Sequence, residues 1–332
     1  MQPFYRTILK RSWEITKKFK SLWLLGFFAA FLGNGGELSF FFDFTGTLGD
    51  QPSIWQNLKN YLYPIEFSGL ASLVANAALI DKLIFLIFLV FTLALVIFII
   101  WLVVSAQAGL INAVNEIDQR EQGGFLYNFQ IGHKFFGSAL LLNILTKFIS
   151  FIIITVIITP IIVLLIVQNS KLATLFIVLG FLVLLPAVII LNFIGKYALA
   201  YLILEGKKFW QAFLGGWKLF LANWLISLEM AVILLLINII LGFLFIIASL
   251  IIISPFIVFF FISQNISVFY LFFPLAMILI FIMMALIGSG YAAFHYSSWV
   301  LLFNKLTKEK LYSKLERLTI YGQPENLKAG KL

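Results

Sequence analysis

The sequence predicts an all-α integral membrane protein with about six transmembrane helices, and three observations carry that expectation. Hydrophobic residues make up 62% of the 332 residues and charged residues only 11%; several apolar runs reach the length of a membrane crossing; and basic residues gather at both ends of the chain. Soluble domains hold roughly a quarter charged residues, so a mean hydropathy of +1.06 makes lipid the main solvent. A helix needs about 20 apolar residues to cross the hydrocarbon core, and spans are expected near 22–32, 83–104, 148–167, 172–194, 234–253 and 270–291. The first is short. Its basic flank is that of a signal peptide, yet Phe31 and Leu32 before Gly33 offer no small-residue cleavage site, so a retained helix running toward Phe42 is expected.

Orientation follows from where the 23 lysines and arginines sit against 14 acidic residues. Arg6, Lys10, Arg11, Lys17, Lys18 and Lys20 precede the first run; Lys305, Lys308, Lys310, Lys314, Arg317, Lys328 and Lys331 follow the last. Basic flanks stay in the cytoplasm, which puts both ends on the inner side of a cell membrane. Between the first two runs, Glu37, Asp43, Asp50, Glu66 and Asp81 outnumber Lys59 and Lys82, and this segment belongs outside. In a soluble protein a net charge of +9 would suggest nucleic acid. Distributed in this way it implies anionic lipid on the cytoplasmic side as the partner, and no nucleic acid. The chain has no cysteine, so disulfides, thiolate metal sites and cysteine nucleophiles are excluded.

Placed at 100° per residue, the segment before the first span is amphipathic. Phe4, Tyr5, Ile8, Leu9, Ile15, Phe19, Leu22 and Trp23 share one side, and Arg6, Lys10, Lys17, Lys18 and Lys20 the other, with Trp13 at the boundary. Such a helix either lies in the bilayer interface, with its basic residues on anionic lipid, or packs on neighbouring protein; the pattern fits both.

The chain also repeats itself. Phe125, Phe129, Gly132, His133, Lys134 and Phe136 match Phe209, Phe213, Gly216, Trp217, Lys218 and Phe220 in order and spacing. The Phe, Phe, Gly, Phe positions recur at i, i+4, i+7 and i+11, one helical stripe. Thr159-Pro160 and Gln168-Asn169 correspond to Ser254-Pro255 and Gln264-Asn265, and Asn143 and Asn238 precede these prolines by the same distance. The second copy carries eleven extra residues between stripe and asparagine, about three helical turns, which preserves the face. Each copy reads as a cytoplasmic amphipathic helix, an outward helix, an external turn and an inward helix, and a looser copy comes first. Three helical hairpins, at about 4–118, 121–204 and 205–304, therefore form one transmembrane domain over 1–304, followed by a basic cytoplasmic tail over 305–332. Parallel repeats imply pseudo-rotation about the membrane normal.

Residues 197–224 read YALAYLILEGKKFWQAFLGGWKLFLANW. This segment resembles the recurring unit of the polytopic membrane domain attached to some bacterial glycerophosphodiester phosphodiesterases, and of similar stand-alone proteins. The resemblance spans the helical body and rests on an apolar run, a Glu-Gly turn and an aromatic amphipathic helix. It implies a membrane module; the phosphodiesterase barrel is absent from the chain, so no catalytic residue is carried over.

Chemistry-bearing residues are few. The two histidines, His133 and His295, have no His, Asp or Glu at helical spacing, and both are read as interfacial aromatics. Trp13, Trp23, Trp217 and Trp224 are expected as interfacial anchors. Lys147 and Glu229 fall at the inner edges of their spans, where an ion pair between them is conceivable but snorkelling is expected. Asn143, Asn192 and Asn238 are read as interhelical hydrogen-bonders, and Gly26 with Ala30, Ser105 with Gly109, and Gly288 with Ala292 as close-packing pairs. Pro160, Pro186, Pro255 and Pro274 can kink helices or end them, and the repeated Thr-Pro and Ser-Pro could shape a cavity, but plain helix ends are expected. No metal or cofactor site, phosphate loop or nucleophile elbow is present. The expected function is a non-catalytic multi-pass protein that organises lipids or partner proteins. A transporter for a lipid or small apolar solute is the alternative, since it would need a polar cavity, and an intramembrane enzyme comes third.

Overall fold

The computed structural model describes residues 4–30, 79–120, 124–166, 170–263 and 266–308. Among them every regular element is an α-helix: α1 (Phe4–Lys18), α2 (Ser21–Ala30), α3 (Leu79–Arg120), α4 (Phe125–Lys134), α5 (Phe136–Ile166), α6 (Ser170–Leu204), α7 (Phe209–Ala222), α8 (Trp224–Ser263) and α9 (Ile266–Lys308). Helices α3, α5, α6, α8 and α9 are long and apolar enough to cross a membrane. Of the first expected span the described residues hold only the ten-residue apolar helix α2, which by itself is too short to cross. Its continuation toward Phe42, the acidic segment from Glu37 to Glu66, both Gln-Asn turns and the basic tail beyond Lys308 lie outside the described residues.

The chain divides into two compact units, Met1–Glu37 with Val103–Leu332, and Leu38–Leu102. In the second unit the described residues are the start of α3, whose side chains from 79 to 100 are all exposed. A helix that is apolar on every side calls for lipid or protein around it.

Within the first unit the long helices outrun the apolar runs that announced them. At 1.5 Å per residue the 40 residues of α8 span about 60 Å, twice the ~30 Å hydrocarbon core. In α3 and α9 the excess toward the C-terminal end is buried in protein. Residues 103–114 of α3 and 292–303 of α9 are buried without interruption, although Ser105, Gln107 and Asn112 in one and His295, Ser297 and Ser298 in the other interrupt the hydropathy. These hydroxyls are largely satisfied within their own helix: Ser297 and Ser298 donate to carbonyls four residues back at 2.7 and 2.9 Å.

Two expectations are corrected here. The four prolines lie inside helices α5, α6, α8 and α9 and end none of them. Membrane helices tolerate proline where the released carbonyl finds another donor; Pro255 releases the Ile251 carbonyl, which accepts the Ser254 hydroxyl at 3.0 Å. Gly288 is not a packing position, since a Cβ there would meet nothing within 4 Å. Its neighbour takes that role: a Cβ on Gly26 would stand 2.6 Å from the Ser289 carbonyl oxygen and 3.3 Å from the Ala293 Cβ, so α2 lies against α9 backbone to backbone.

The short helices pack on the buried ends of the long ones. Helix α1 lies on α9, burying Tyr5, Ile8, Ser12, Ile15 and Thr16, with Trp13 edge-on to Phe294 at 6.3 Å. Helix α4 meets α3 at Gly132, where any Cβ would overlap the Ser105 carbonyl oxygen, and Gly109 in turn faces the Asn128 backbone. Helix α7 meets α6 at Gly216, where a Cβ would lie 2.8 Å from both the Ile194 oxygen and the Ala198 nitrogen. The turn between α6 and α7 needs Gly206, whose φ is +64°, a value costly for residues with a Cβ. Lys207 closes that turn with a 2.9 Å ion pair to Glu205 and sits 3.7 Å above the Tyr201 ring.

Candidate functional site

A cavity of about 60 Å³ opens between α3, α5, α6 and α9 in the first unit. Two polar stripes build it. Asn143, Thr146, Lys147 and Ser150 of α5 line one wall at i, i+3, i+4 and i+7, the spacing of a single helix face. Asn192, Gly195, Lys196 and Leu199 of α6 line another with the same spacing. Gly195 lets the two helices close up, since a Cβ there would stand 3.3 Å from the Thr146 methyl. Gln107 of α3, Tyr197 of α6 and Tyr296 and Trp299 of α9 complete the polar lining, and Ile111, Leu142, Leu191 and Val300 are apolar.

A chain of side-chain hydrogen bonds ties three helices together here. Asn143 Nδ2 donates to Gln107 Oε1 at 2.8 Å, and Gln107 Nε2 donates to the Tyr296 hydroxyl at 2.9 Å. All three residues are buried, so deleting one leaves its neighbour unsatisfied in a low dielectric. The hydroxyls of Thr146 and Ser150 bond back to their own helix, at 2.9 Å to Leu142 O and Thr146 O.

Lys196 is held in place by aromatics. Its ammonium lies 4.5 Å from the centroid of the Trp299 ring and 3.5 Å from His295 Nε2. The Trp299 indole N–H donates to that same nitrogen at 3.2 Å. Indole can only donate, so His295 Nε2 carries a lone pair, and the imidazole presents an acceptor to the lysine. His295 is fully buried, which corrects its reading as an interfacial aromatic: a polar residue beyond the hydropathy boundary proves to be inside the protein, matched to Lys196 on another helix.

The other residues singled out by sequence lie elsewhere. Arg6, Lys10, Lys17, Lys18 and Lys20 are all exposed, on the face of the N-terminal segment opposite the buried Tyr5, Ile8 and Ile15. Trp13, Trp217 and Trp224 are exposed, whereas Trp23 is half-buried and donates its indole N–H to the Thr16 carbonyl at 2.9 Å. The Glu229 carboxylate accepts the Tyr5 hydroxyl, a contact that fastens α1 to α8. Lys147 and Asn192 are exposed at the rim of the cavity, and Asn238 is half-buried on α8 outside it. No three His, Asp or Glu side chains converge on a metal-sized site among the described residues. Gln107, Lys196, Tyr296 and Trp299 were missed by sequence reasoning; the signal that could have found the site is the polar stripe on α5, which shares its spacing with Asn192 and Lys196 on α6.

With two ammonium groups, several amide and hydroxyl groups and apolar walls, the site suits an anion attached to an apolar body. Comparison of the chain with protein-family models, with curated proteins and with solved structures found no match.

Proposed function

We propose that this chain is a non-catalytic multi-pass protein of the plasma membrane, with both ends cytoplasmic, that gathers anionic lipid along its cytoplasmic rim. The observation that carries the reading is the division of the N-terminal segment: α1 turns Tyr5, Ile8 and Ile15 into the protein and leaves Arg6, Lys10, Lys17, Lys18 and Lys20 exposed. A basic face held rigid by docking on protein is a surface for acidic head groups, each basic group being worth about 1 kcal/mol near an anionic leaflet.

The same proposal includes three hairpin repeats, each led by an amphipathic helix, as in the membrane domain attached to glycerophosphodiester phosphodiesterases. Support comes from the matched contacts of α4 on α3 and α7 on α6, each through a glycine four residues from the next stripe phenylalanine. Ser12 before Trp13, fully buried where α1 meets α9, parallels Gly216 before Trp217. Helix α7 has 14 residues against 10 in α4, so four of the eleven extra residues lengthen the amphipathic helix and seven fall between its cap and Asn238.

The test uses the full-length protein, because an isolated α1 peptide would expose the apolar face that the fold buries. Thermal stability in uncharged detergent should rise with phosphatidylglycerol more than with phosphatidylcholine, and less at high salt. Replacing Lys10, Lys17, Lys18 and Lys20 by Gln should remove most of the difference. Salt-independent stabilisation that survives these substitutions would sink the proposal. The polar lining of the cavity favours a second reading, a carrier for a small solute, which flux across proteoliposomes would reveal.

A further inference from the structure

The chemistry of the cavity goes beyond a basic surface. Its lining holds the ammonium groups of Lys147 and Lys196 and, among the described residues, amide, hydroxyl and aromatic groups beside them. Depth is the second observation. Lys147 directly precedes the apolar run at 148–167, Lys196 closely follows the run at 172–194, Gln107 the run at 83–104 and Tyr296 the run at 270–291. Four separate hydropathy boundaries thus meet at one cavity, which puts it at the level of lipid head groups rather than of acyl chains. Its volume of about 60 Å³ is several times the ~10–15 Å³ that one water requires, enough for a small charged group though far too little for a whole lipid. The third observation is that Lys196 is not a mobile surface lysine: Trp299 and His295 hold its ammonium from one side, and the rigid hydrogen-bonded set of Asn143, Gln107 and Tyr296 stands beside it.

We propose that this cavity binds a phosphate group, with Lys196 as the fixed cation, Lys147 as the cation at the mouth and the Asn192 amide as a neutral donor. The phosphate is that of an anionic lipid whose chains remain outside, or free phosphate from solution. The membrane reading is needed only to choose the leaflet; the basic face of α1 plays no part.

The experiment follows reductive methylation of Lys147 and Lys196 by mass spectrometry in full-length protein, with phosphatidylglycerol, phosphatidylcholine of the same chains, or inorganic phosphate. Phosphatidylglycerol should slow modification of both lysines about tenfold, as expected for ammonium groups engaged in charge-assisted hydrogen bonds, and phosphatidylcholine should slow it less. Equal protection by inorganic phosphate would support the anion site and assign it to free phosphate. In native mass spectrometry Lys196→Gln should weaken phosphatidylglycerol binding about tenfold, the loss of one such bond, with Lys196→Arg retaining most of it. Lys147→Gln, at the exposed rim, should weaken binding without disturbing the fold. Protection of neither lysine by either anion would overturn the proposal, as would unchanged lipid binding by Lys147→Gln and Lys196→Gln. Loss of protection on replacing the four α1 lysines would also overturn it, by tying the effect to the other face.

Discussion

Gly216→Ala tests whether the short helices are keyed to the long ones by backbone contact. The new Cβ would lie 2.8 Å from the Ile194 oxygen and the Ala198 nitrogen and 3.2 Å from the Ala198 Cα. These are backbone atoms of α6 and cannot rotate away, so α7 must retreat by roughly 0.6 Å to restore ordinary van der Waals contact. Ala212 and Phe220, buried on the same face of α7, would retreat with it, and the stack of Phe220 on Phe193 at 5.5 Å would loosen. Overpacking of this kind costs about 1–3 kcal/mol, while removing a glycine from a helix interior returns about 0.5–1 kcal/mol. The expected balance is a net loss of about 1–2 kcal/mol. Gly242→Ala on α8 is the control: a Cβ there meets nothing within 4 Å, so only the propensity gain remains and the sign reverses. Thermal loss of monodisperse protein in detergent, read by size-exclusion chromatography, would place Gly216→Ala below wild type and Gly242→Ala at or above it. If both substitutions raised stability equally, α7 would not be seated on α6 as described.

Two further outcomes are expected. Cysteines introduced at Asp50 and Gln168 should label from outside intact cells and those at Gln122, Lys207 and Lys314 should not; external labelling at Lys207 would reverse the proposed orientation. Tyr5→Phe removes the hydroxyl donated to Glu229, a bond to a charged acceptor worth about 1.5–3 kcal/mol, and should speed proteolytic trimming of the N-terminus, whereas unchanged trimming would show that the contact does not hold α1 down.

What the sequence made legible was set by solvent. Residues 83–104, 148–167 and 172–194 were recognised as spans because lipid demands long apolar stretches, and each lies largely within a longer helix, α3, α5 or α6. The same criterion hid where those helices stop. At Gln107, Asn143, Lys196 and His295 the hydropathy falls, as it does at a membrane surface, yet Gln107, Asn143 and His295 are buried because their partners come from other helices. Hydropathy measures transfer of a residue alone; a hydrogen bond to a residue nearly 190 positions away, such as that from Gln107 to Tyr296, does not enter it. Proline was misread for a related reason, since its cost depends on whether a neighbour such as Ser254 can occupy the released carbonyl.

The long helices thus change character along their length. Through their apolar runs α3, α5, α6, α8 and α9 leave most side chains exposed; in a membrane, lipid would pack there as well as protein does and give helices little reason to associate. At the polar ends association becomes favourable, because buried amides and hydroxyls gain partners and α1, α4 and α7 cover the remaining apolar surface. The fold is therefore most specified at the ends of its spans, where Gly132 and Gly216 admit no side chain. The cavity lined by Lys147 and Lys196 lies at these same ends, where Trp299 and His295 hold the Lys196 ammonium in place.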